Sequence, residues 1–209
     1  MTYTLLESNF KSLINQYNAR RKIGEDLWAE VVKRYSDPAR YYHNLDHITQ
    51  LLLQLLSVKD QVMDWNAMLF AIYYHDIIYD VLKNDNEEKS AKYASERMIK
   101  LEAPTEQIAL CTQHILATKS HSANENADTN LFTDADLSIL GSDWKTYDNY
   151  CQLIRQEYAF YPDLLYKSGR KKVLHRFLAM DKIFKTEIFY NQFEEQARQN
   201  IAEELNHLA

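Results

Sequence analysis

Histidine and aspartate side chains in this chain are spaced as a metal site would require. His43 and His47 are four residues apart, so on a helix they share one face, roughly 6 Å apart along its axis. His75 and Asp76 are adjacent in an otherwise apolar and aromatic run, where a ligating or charged pair is costly unless it meets a partner. We expect that partner to be a divalent metal ion, with Asp136 completing the site from further along the chain.

The order of these pieces is more specific than any one of them. With seven His and fifteen Asp in 209 residues, about 0.5 His-Asp pairs are expected by chance. A lone His-x-x-x-His is not rare either. The ordered set is the stronger indication: Tyr-His-Asn-x-x-His, then His-Asp in an apolar run, then an Asp that opens a short apolar helix.

The composition favours a helical protein with a sizeable core. Hydrophobic residues make up 46% of the chain, and there are only three Gly and three Pro, fewer than the turns of a β-rich fold usually need. The formal charge of -6 disfavours a general nucleic-acid or anionic-membrane binder, although it leaves room for a local basic site. We therefore expect neither nucleic acid nor membrane as a partner.

Hydrophobic residues at helical spacing predict the elements that must position the site. The predicted helices cover approximately residues 5–17, 25–35, 44–56, 65–79, 87–101, 104–115, 135–140, 144–161, 170–184 and 191–208. Asp64 and Asp134 are the predicted N-caps of the fourth and seventh helices, and Gly141 the predicted end of the seventh. We predict one all-α domain over residues 1–209, with a motif core at about 40–140 and a helical extension at 143–209.

The cysteines and the first residues indicate a cytoplasmic protein. Cys111 and Cys151 lie in apolar-periodic segments and form no motif, as expected of buried thiols in a reducing compartment. The first four residues have no basic start, and no run of 18 or more apolar residues follows.

The ordered motifs resemble those of the HD superfamily of metal-dependent phosphohydrolases, whose ligands follow the order His, His-Asp, Asp. The resemblance implies a single HD-domain-like helical bundle, with His47, His75, Asp76 and Asp136 as ligands of a divalent ion. The first motif is also similar to that of cyclic-nucleotide phosphodiesterases, in which the first His is a general acid, a role that His43 would inherit. The chain lacks their His-Pro-Gly continuation after His-Asp, so cyclic-nucleotide activity is not implied.

Further segments resemble a bacterial family of uncharacterised HD-type phosphohydrolases. The resemblance runs from about Tyr35 to the C-terminus and is carried by these segments: His75-Asp76 with Tyr79-Asp80, Asn86-Glu87 with Ser90-Ala91, Thr118-Lys119-Ser120-His121, Phe132-Thr133-Asp134-Ala135-Asp136-Leu137, Arg155-Gln156-Glu157-Tyr158 and Ser168-Gly169-Arg170. It implies the fold and a metal-activated water that cleaves a phosphoester, such as that of a nucleotide, but not the substrate itself.

The resemblance and elementary chemistry together suggest roles for several side chains. A metal held by His and Asp lowers the pKa of bound water and polarises a phosphoryl oxygen. Asp76 or Asp136 would orient that water, and His43 would protonate the leaving alkoxide, which suits a group that titrates near neutral pH. The resemblance makes Glu87 a further catalytic carboxylate, although a glutamate that only complements a helix dipole is the simpler interpretation. Asp134 rivals Asp136 as the fourth ligand, but its position suits an N-cap better.

Three side chains are candidates for binding the substrate phosphate: Arg40, His121 and Arg170. Arg40 lies three residues before His43 and is the strongest of them. His121 is equally well explained as an exposed loop histidine. Arg170 belongs to a dense basic cluster, whose commoner explanation is a solvated helix face.

Two other functions remain open at this point. A non-catalytic metal- or nucleotide-binding regulatory module would keep the fold without turnover. A di-iron oxygenase of the HD type would need two further ligands, His114 and His121. The ion itself, one or two per chain, is not specified by mixed His and carboxylate ligands, which accept Mn, Fe, Co, Ni, Zn or Mg. The sequence does not indicate an oligomeric state.

Overall fold

A computed structural model describes residues 3–17 and 21–208, which fold into helices joined by short turns. The ten α-helices are α1 (Thr4–Asn15), α2 (Arg21–Tyr35), α3 (Leu45–Ser57), α4 (Trp65–Tyr74), α5 (Asn86–Lys100), α6 (Thr105–Ala117), α7 (Ala127–Asp136), α8 (Trp144–Glu157), α9 (Asp163–Leu178) and α10 (Glu187–His207). Short 3-10 helices occupy Lys59–Gln61 and Leu137–Gly141. These described residues contain no β-strand, which confirms the all-α prediction.

The chain divides into two compact units between Thr133 and Asp134, a point that lies within α7. The prediction of one domain over residues 1–209 stays a prediction. None of the described helices is both long enough and apolar enough to cross a membrane. The prediction about the first four residues falls partly on residues 1 and 2, which lie outside the described residues.

Helix α4 is the centre of the first unit. Its residues 67–74 are all buried, as expected for a helix that is apolar on every side. It contacts α1, α3, α5 and α6, and the Tyr73 ring meets Phe10 edge to face at 4.9 Å. The predicted N-cap is confirmed, because the Asp64 carboxylate accepts a hydrogen bond from the backbone N–H of Ala67 at 2.9 Å. The surrounding helices thus fix the C-terminal end of α4, where the His-Asp motif follows.

The end of α4 differs from the prediction. The helix stops at Tyr74 rather than near residue 79, so His75 is its C-cap and Asp76 lies in the following turn. The apolar run continues without a glycine or proline to mark this end. His75 keeps helical backbone angles, with φ of -61° and ψ of -38°, so the chain leaves the helix only after it.

The second unit is built on α10, which contacts α8, α9 and the 3-10 helix Leu137–Gly141. A Cβ atom at Gly141 would lie 2.6 Å from both the Cβ and the carbonyl oxygen of Phe193, so only glycine allows this approach. The Asn200 amide donates to the carbonyls of Leu140 and Ser142 at 2.8 Å each. These contacts fasten the segment after α7 to α10.

The prediction that Asp134 caps a helix over residues 135–140 is wrong, because Asp134 lies inside α7. Its buried carboxylate accepts hydrogen bonds from the backbone N–H groups of Lys185 and Thr186 at 2.9 and 2.7 Å, and from the Thr186 hydroxyl at 2.7 Å. The Lys185 ammonium lies 2.6 Å from it as well. Asp134 therefore stabilises the start of α10, and its oxygens are already engaged.

Candidate metal centre

The first motif lies at the start of α3. The Asn44 side chain caps this helix, accepting hydrogen bonds from the backbone N–H groups of Asp46 and His47 at 2.8 and 3.3 Å. His47 is therefore held in the first turn, where its ring is buried. His43 precedes the cap, so helical spacing from His47 does not apply and that part of the prediction is wrong. The two rings nevertheless lie close, with centroids 5.5 Å apart.

The second motif brings His75 against His47. The Nδ1 atom of His75 lies 3.1 Å from the carbonyl oxygen of Ile72, which can only accept a hydrogen bond, so we assign the proton to Nδ1. When the ring is neutral, its Nε2 atom offers a lone pair, 3.1 Å from the Nε2 atom of His47. Two nitrogen ligands in adjacent positions, each about 2.1 Å from one ion, lie roughly 3 Å apart. The imidazole pair therefore fits a metal ion.

Asp76 directs one carboxylate oxygen at three imidazoles. Its Oδ2 atom lies 3.2 Å from Nε2 of His75, 3.9 Å from Nε2 of His47 and 4.0 Å from Nε2 of His43. Burial raises the pKa of the Asp76 carboxyl, but the charge and hydrogen bond of His75, with the charges of the other two rings, outweigh it and hold the pKa well below its usual range. Asp76 is therefore an anion at neutral pH.

Asp136 is the last residue of α7, a helix that begins in the first unit. The Asp128 carboxylate in the first turn accepts hydrogen bonds from the backbone N–H groups of Met63 and Asp64 at 3.0 and 2.9 Å. One turn after Asp128, the Phe132 ring meets the His75 ring edge to face, with centroids 5.8 Å apart. These contacts hold the part of α7 that lies in the first unit.

One ligand atom each from His47, His75 and Asp136 lie within 4.8 Å of one another. The two histidines are buried and the aspartate is half-buried. This group could hold a metal ion, and its mixed nitrogen and oxygen donors suit a divalent first-row transition metal. The structure thus brings together three of the four predicted ligands, and it places the fourth, Asp76, beside the two imidazoles.

His43 lies at the rim of this group. Its side chain is 20% exposed, and its ring lies 4.4 Å from the Tyr79 ring, measured between centroids. The Tyr42 ring packs edge to face against it at 5.0 Å. The imidazole is therefore partly open to solvent, and the two tyrosines hold its orientation.

Arg40 has a different environment from the one expected of a phosphate ligand. Its guanidinium donates to the carbonyl oxygens of His43 at 3.3 Å, Asp76 at 2.7 Å and Ile77 at 3.2 Å. It also lies over the Tyr35 and Tyr79 rings, 5.0 and 5.4 Å from their centroids. The side chain is buried and ties the first motif to the second, a positioning role that sequence reasoning missed. Its role as a phosphate ligand stays a prediction.

Glu87 lies in the first turn of α5, close in sequence to the segment after Asp76. One turn later, the Ser90 hydroxyl donates to the carbonyl of Ile78 at 3.2 Å and accepts from its N–H at 3.1 Å. The start of α5 is therefore fastened to the residues that follow the His-Asp motif. A catalytic role for Glu87 stays a prediction.

The two remaining substrate candidates have distinct settings. His121 ends the segment after α6 with a φ of 51°, in the left-handed region that a non-glycine residue rarely adopts. Arg170, in the second unit, is buried and donates to both oxygens of Glu204 at 2.7 and 3.0 Å. The Arg170 guanidinium is therefore engaged in an ion pair within the fold. A role in substrate binding stays a prediction for both His121 and Arg170.

His114, the ligand that a di-iron site would need, is fully buried. Its ring stacks on Phe132 with centroids 5.9 Å apart, and its Nδ1 atom lies 2.9 Å from the Thr129 hydroxyl. Burial lowers the pKa of His114 to about 4, although the charges of Asp128 and Asp64 oppose the shift. These contacts agree with the structural interpretation of this histidine.

Comparisons with family models, with curated proteins and with solved structures found no match to this chain. The functional argument therefore rests on the residues of the centre. They form a buried cluster of histidine and aspartate with one imidazole at its rim, which suits metal-assisted chemistry.

Proposed function

We propose that this chain is a metal-dependent phosphohydrolase of the HD type, which cleaves a small phosphoester such as a nucleotide. The observation that carries the proposal is the convergence of His47, His75 and Asp136 within 4.8 Å, next to a second carboxylate. The ordered motifs that supply these residues resemble the ligands of that superfamily. The ion would be Mn, Fe, Co, Ni, Zn or Mg, held by these three residues and Asp76.

Such an ion, once bound, supplies a water of lowered pKa and neutralises charge on the phosphoryl oxygens. The surrounding side chains then have definite tasks. Asp76, an anion at neutral pH, accepts a hydrogen bond from the attacking water and orients it. His43, partly exposed at the rim, donates a proton to the leaving alkoxide, and Tyr79 beside it holds the imidazole in place. Arg40 keeps the two motifs in register through the backbone.

The metal content of untagged protein tests the first half of this proposal. We expect about one or two ions per chain in the wild type and their loss in Asp76→Ala. Asp80→Ala is the matched control, because it removes a nearby carboxylate that engages the loop amide of Leu82 and is expected to retain the ion. A wild-type protein that neither contains nor binds any of the candidate ions contradicts the proposal and favours a non-catalytic module.

Turnover of a panel of phosphomonoesters and phosphodiesters, assayed with the ion so identified, tests the second half. His43→Ala is expected to retain the metal while turnover falls about 10²–10⁴-fold, the usual contribution of a general acid. Full turnover in His43→Ala with intact metal content would remove the acid role. A loaded wild-type protein with no turnover on any ester would remove the hydrolase.

A further inference from the structure

Helix α9 and the turn before it expose apolar side chains that the fold leaves uncovered. Of the sixteen residues of α9, only Leu174 is buried. Leu164 is 81% exposed, Leu165 60%, and Phe160 in the preceding turn 76%. These three large apolar side chains lie within six residues of one another and are exposed to water, although their burial would be favourable. Exposed apolar clusters of this kind mark surfaces that contact a partner molecule or a membrane.

The same segment is strongly basic within an acidic chain. Residues 164–180 carry five Lys or Arg and no Asp or Glu, although the whole chain has a formal charge of -6. Arg170 is paired with Glu204, whereas Lys172 and Arg176 are exposed and Lys171 is half-buried. We call these three cations, together with Phe160, Leu164 and Leu165, the α9 surface.

The apolar and basic groups of the α9 surface that belong to the helix share one side of it. Leu164 and Lys171 are seven residues apart, as are Leu165 and Lys172, and Arg176 follows four residues later, a spacing that places them on one side of α9. Asp163, the acidic residue that directly precedes this stretch of chain, is paired with Arg155 at 2.6 Å. Local charge at this face is therefore positive, and beyond a screening length of about 8 Å the negative remainder of the chain has little influence on it.

We propose that the α9 surface docks on a lipid bilayer that contains anionic lipids. Phe160, Leu164 and Leu165 would enter the boundary between headgroups and acyl chains, and the cations would lie among the lipid phosphates. A nucleic acid would pair with the cations but would leave the two leucines in water. A second copy of this chain has a net negative charge but would have to offer a matching apolar recess. A bilayer satisfies both halves of the surface at once.

Co-sedimentation with vesicles tests this proposal on the full chain. Vesicles of phosphatidylcholine mixed with phosphatidylglycerol are expected to bind the protein, and vesicles of phosphatidylcholine alone are not. High salt is expected to weaken the binding, because the cations contribute through screened attraction. Lys171→Gln with Lys172→Gln is expected to lower the partition coefficient roughly 25-fold, about fivefold for each charge near the membrane. Leu164→Ser with Leu165→Ser is expected to lower it at least about tenfold.

Helix α5 offers a matched control, because Ile99 is 61% exposed and Lys92 and Lys100 are exposed on the same helix. Ile99→Ser and the pair Lys92→Gln with Lys100→Gln change the same residue types and are expected to leave partitioning unchanged. Circular dichroism checks that every variant is folded.

Three results would overturn the proposal. The first is equal binding to neutral and anionic vesicles, or none to either. The second is loss of binding in the lysine pair with no effect of the leucine pair, which would identify a site for a soluble polyanion. The third is a concentration-dependent dimer in ultracentrifugation that only the leucine pair abolishes, which would identify a second copy as the occupant.

Discussion

A buried and a half-buried carboxylate in this molecule, Glu204 and Asp76, have opposite kinds of neighbours. Glu204 accepts two hydrogen bonds from the Arg170 guanidinium and a third, of 2.5 Å, from the Tyr147 hydroxyl. Burial raises the pKa of Glu204, but the hydrogen bonds and charge of Arg170 outweigh it and lower the pKa. The permanent charge of Arg170 balances the charge of the Glu204 carboxylate, so this carboxylate does not require a metal ion as a counter-charge.

Asp76 has no such cation among the partners described above. Its closest neighbours are the three imidazoles, and Asp136 brings a second carboxylate to His47 and His75. Two carboxylates and two buried imidazoles therefore meet where a divalent ion could bind. Burial alone does not distinguish a structural carboxylate from a ligand, whereas the kind of neighbour around it does.

Removing the balanced carboxylate should have the largest effect on stability. Glu204→Ala leaves the Arg170 guanidinium buried without its counter-charge, and we expect the free energy of unfolding to fall by about 3–5 kcal/mol. Urea unfolding measures this change. Glu203→Ala, at the exposed neighbouring position, should change it by less than about 0.5 kcal/mol. A loss of stability no larger than that of the control would mean that the Arg170 pair is not a structural element.

Removing a ligand of the unbalanced group should affect the metal rather than the fold. We expect His47→Ala to weaken metal affinity by at least 100-fold, because changes to groups that only orient ligands already weaken it about 10–100-fold. Titration calorimetry with the ion found in the wild type measures this affinity. Glu204→Ala, assayed while folded, and His207→Ala, at an exposed histidine, should both keep it. A His47→Ala protein of unchanged affinity would contradict the proposed centre.

The comparison extends to His114, a histidine whose burial outweighs the charges of the two carboxylates near it. Burial lowers the pKa of His114 from its ordinary value of 6.5 to about 4 in the folded protein. Between these two pH values the unfolded chain therefore binds a proton at His114 that the folded chain does not bind. Stability should therefore fall as the pH drops from 6.5 towards 4, by about 2–3 kcal/mol in all at about 1.4 kcal/mol per unit.

The variant His114→Leu removes this dependence, and unfolding with a chelator present keeps the metal centre out of the measurement. We expect the profile of stability against pH to be flatter by that amount between pH 6.5 and 4 than in the wild type. His207→Leu should leave the profile unchanged. Parallel profiles for the wild type and His114→Leu would show that this imidazole is not held neutral.

Local chemistry made some boundaries predictable from the sequence. The start of α3 follows from Asn44, whose side chain reaches backbone N–H groups two and three residues later. The start of α4 follows in the same way from Asp64. In both cases donor and acceptor lie within one turn, so the residue types alone contain the information. The metal ligands could be proposed because their residue types and order are restrictive.

Boundaries that depend on distant residues could not be predicted. Asp134 has the residue type of an N-cap, but its acceptors serve Lys185 and Thr186, some fifty positions further along the chain. Similarly, the carbonyl groups after α4 are bound by Arg40, which lies 36 and 37 residues earlier. Because nothing in the run from residue 73 to 79 marks a helix end, the pattern favoured a longer helix than the one observed.

Arg40 provides the smallest and most discriminating test. Arg40→Lys keeps the charge but loses the planar fork that reaches three backbone carbonyls. If Arg40 orients the two motifs, metal affinity should fall about 10–100-fold, as for other groups that orient ligands. If it binds the substrate phosphate instead, metal affinity should be unchanged and KM should rise.

Arg34 on α2 lies over the Tyr93 ring of α5. Arg34→Lys is the matched control and should change neither the metal affinity nor KM. Calorimetry and steady-state kinetics on the same preparations separate the two roles of Arg40. A fall in metal affinity with an unchanged KM would extend the comparison above, because the Arg40 guanidinium would then serve backbone carbonyls and not the carboxylates. A raised KM with full metal affinity would restore Arg40 to the substrate site predicted from its place in the sequence.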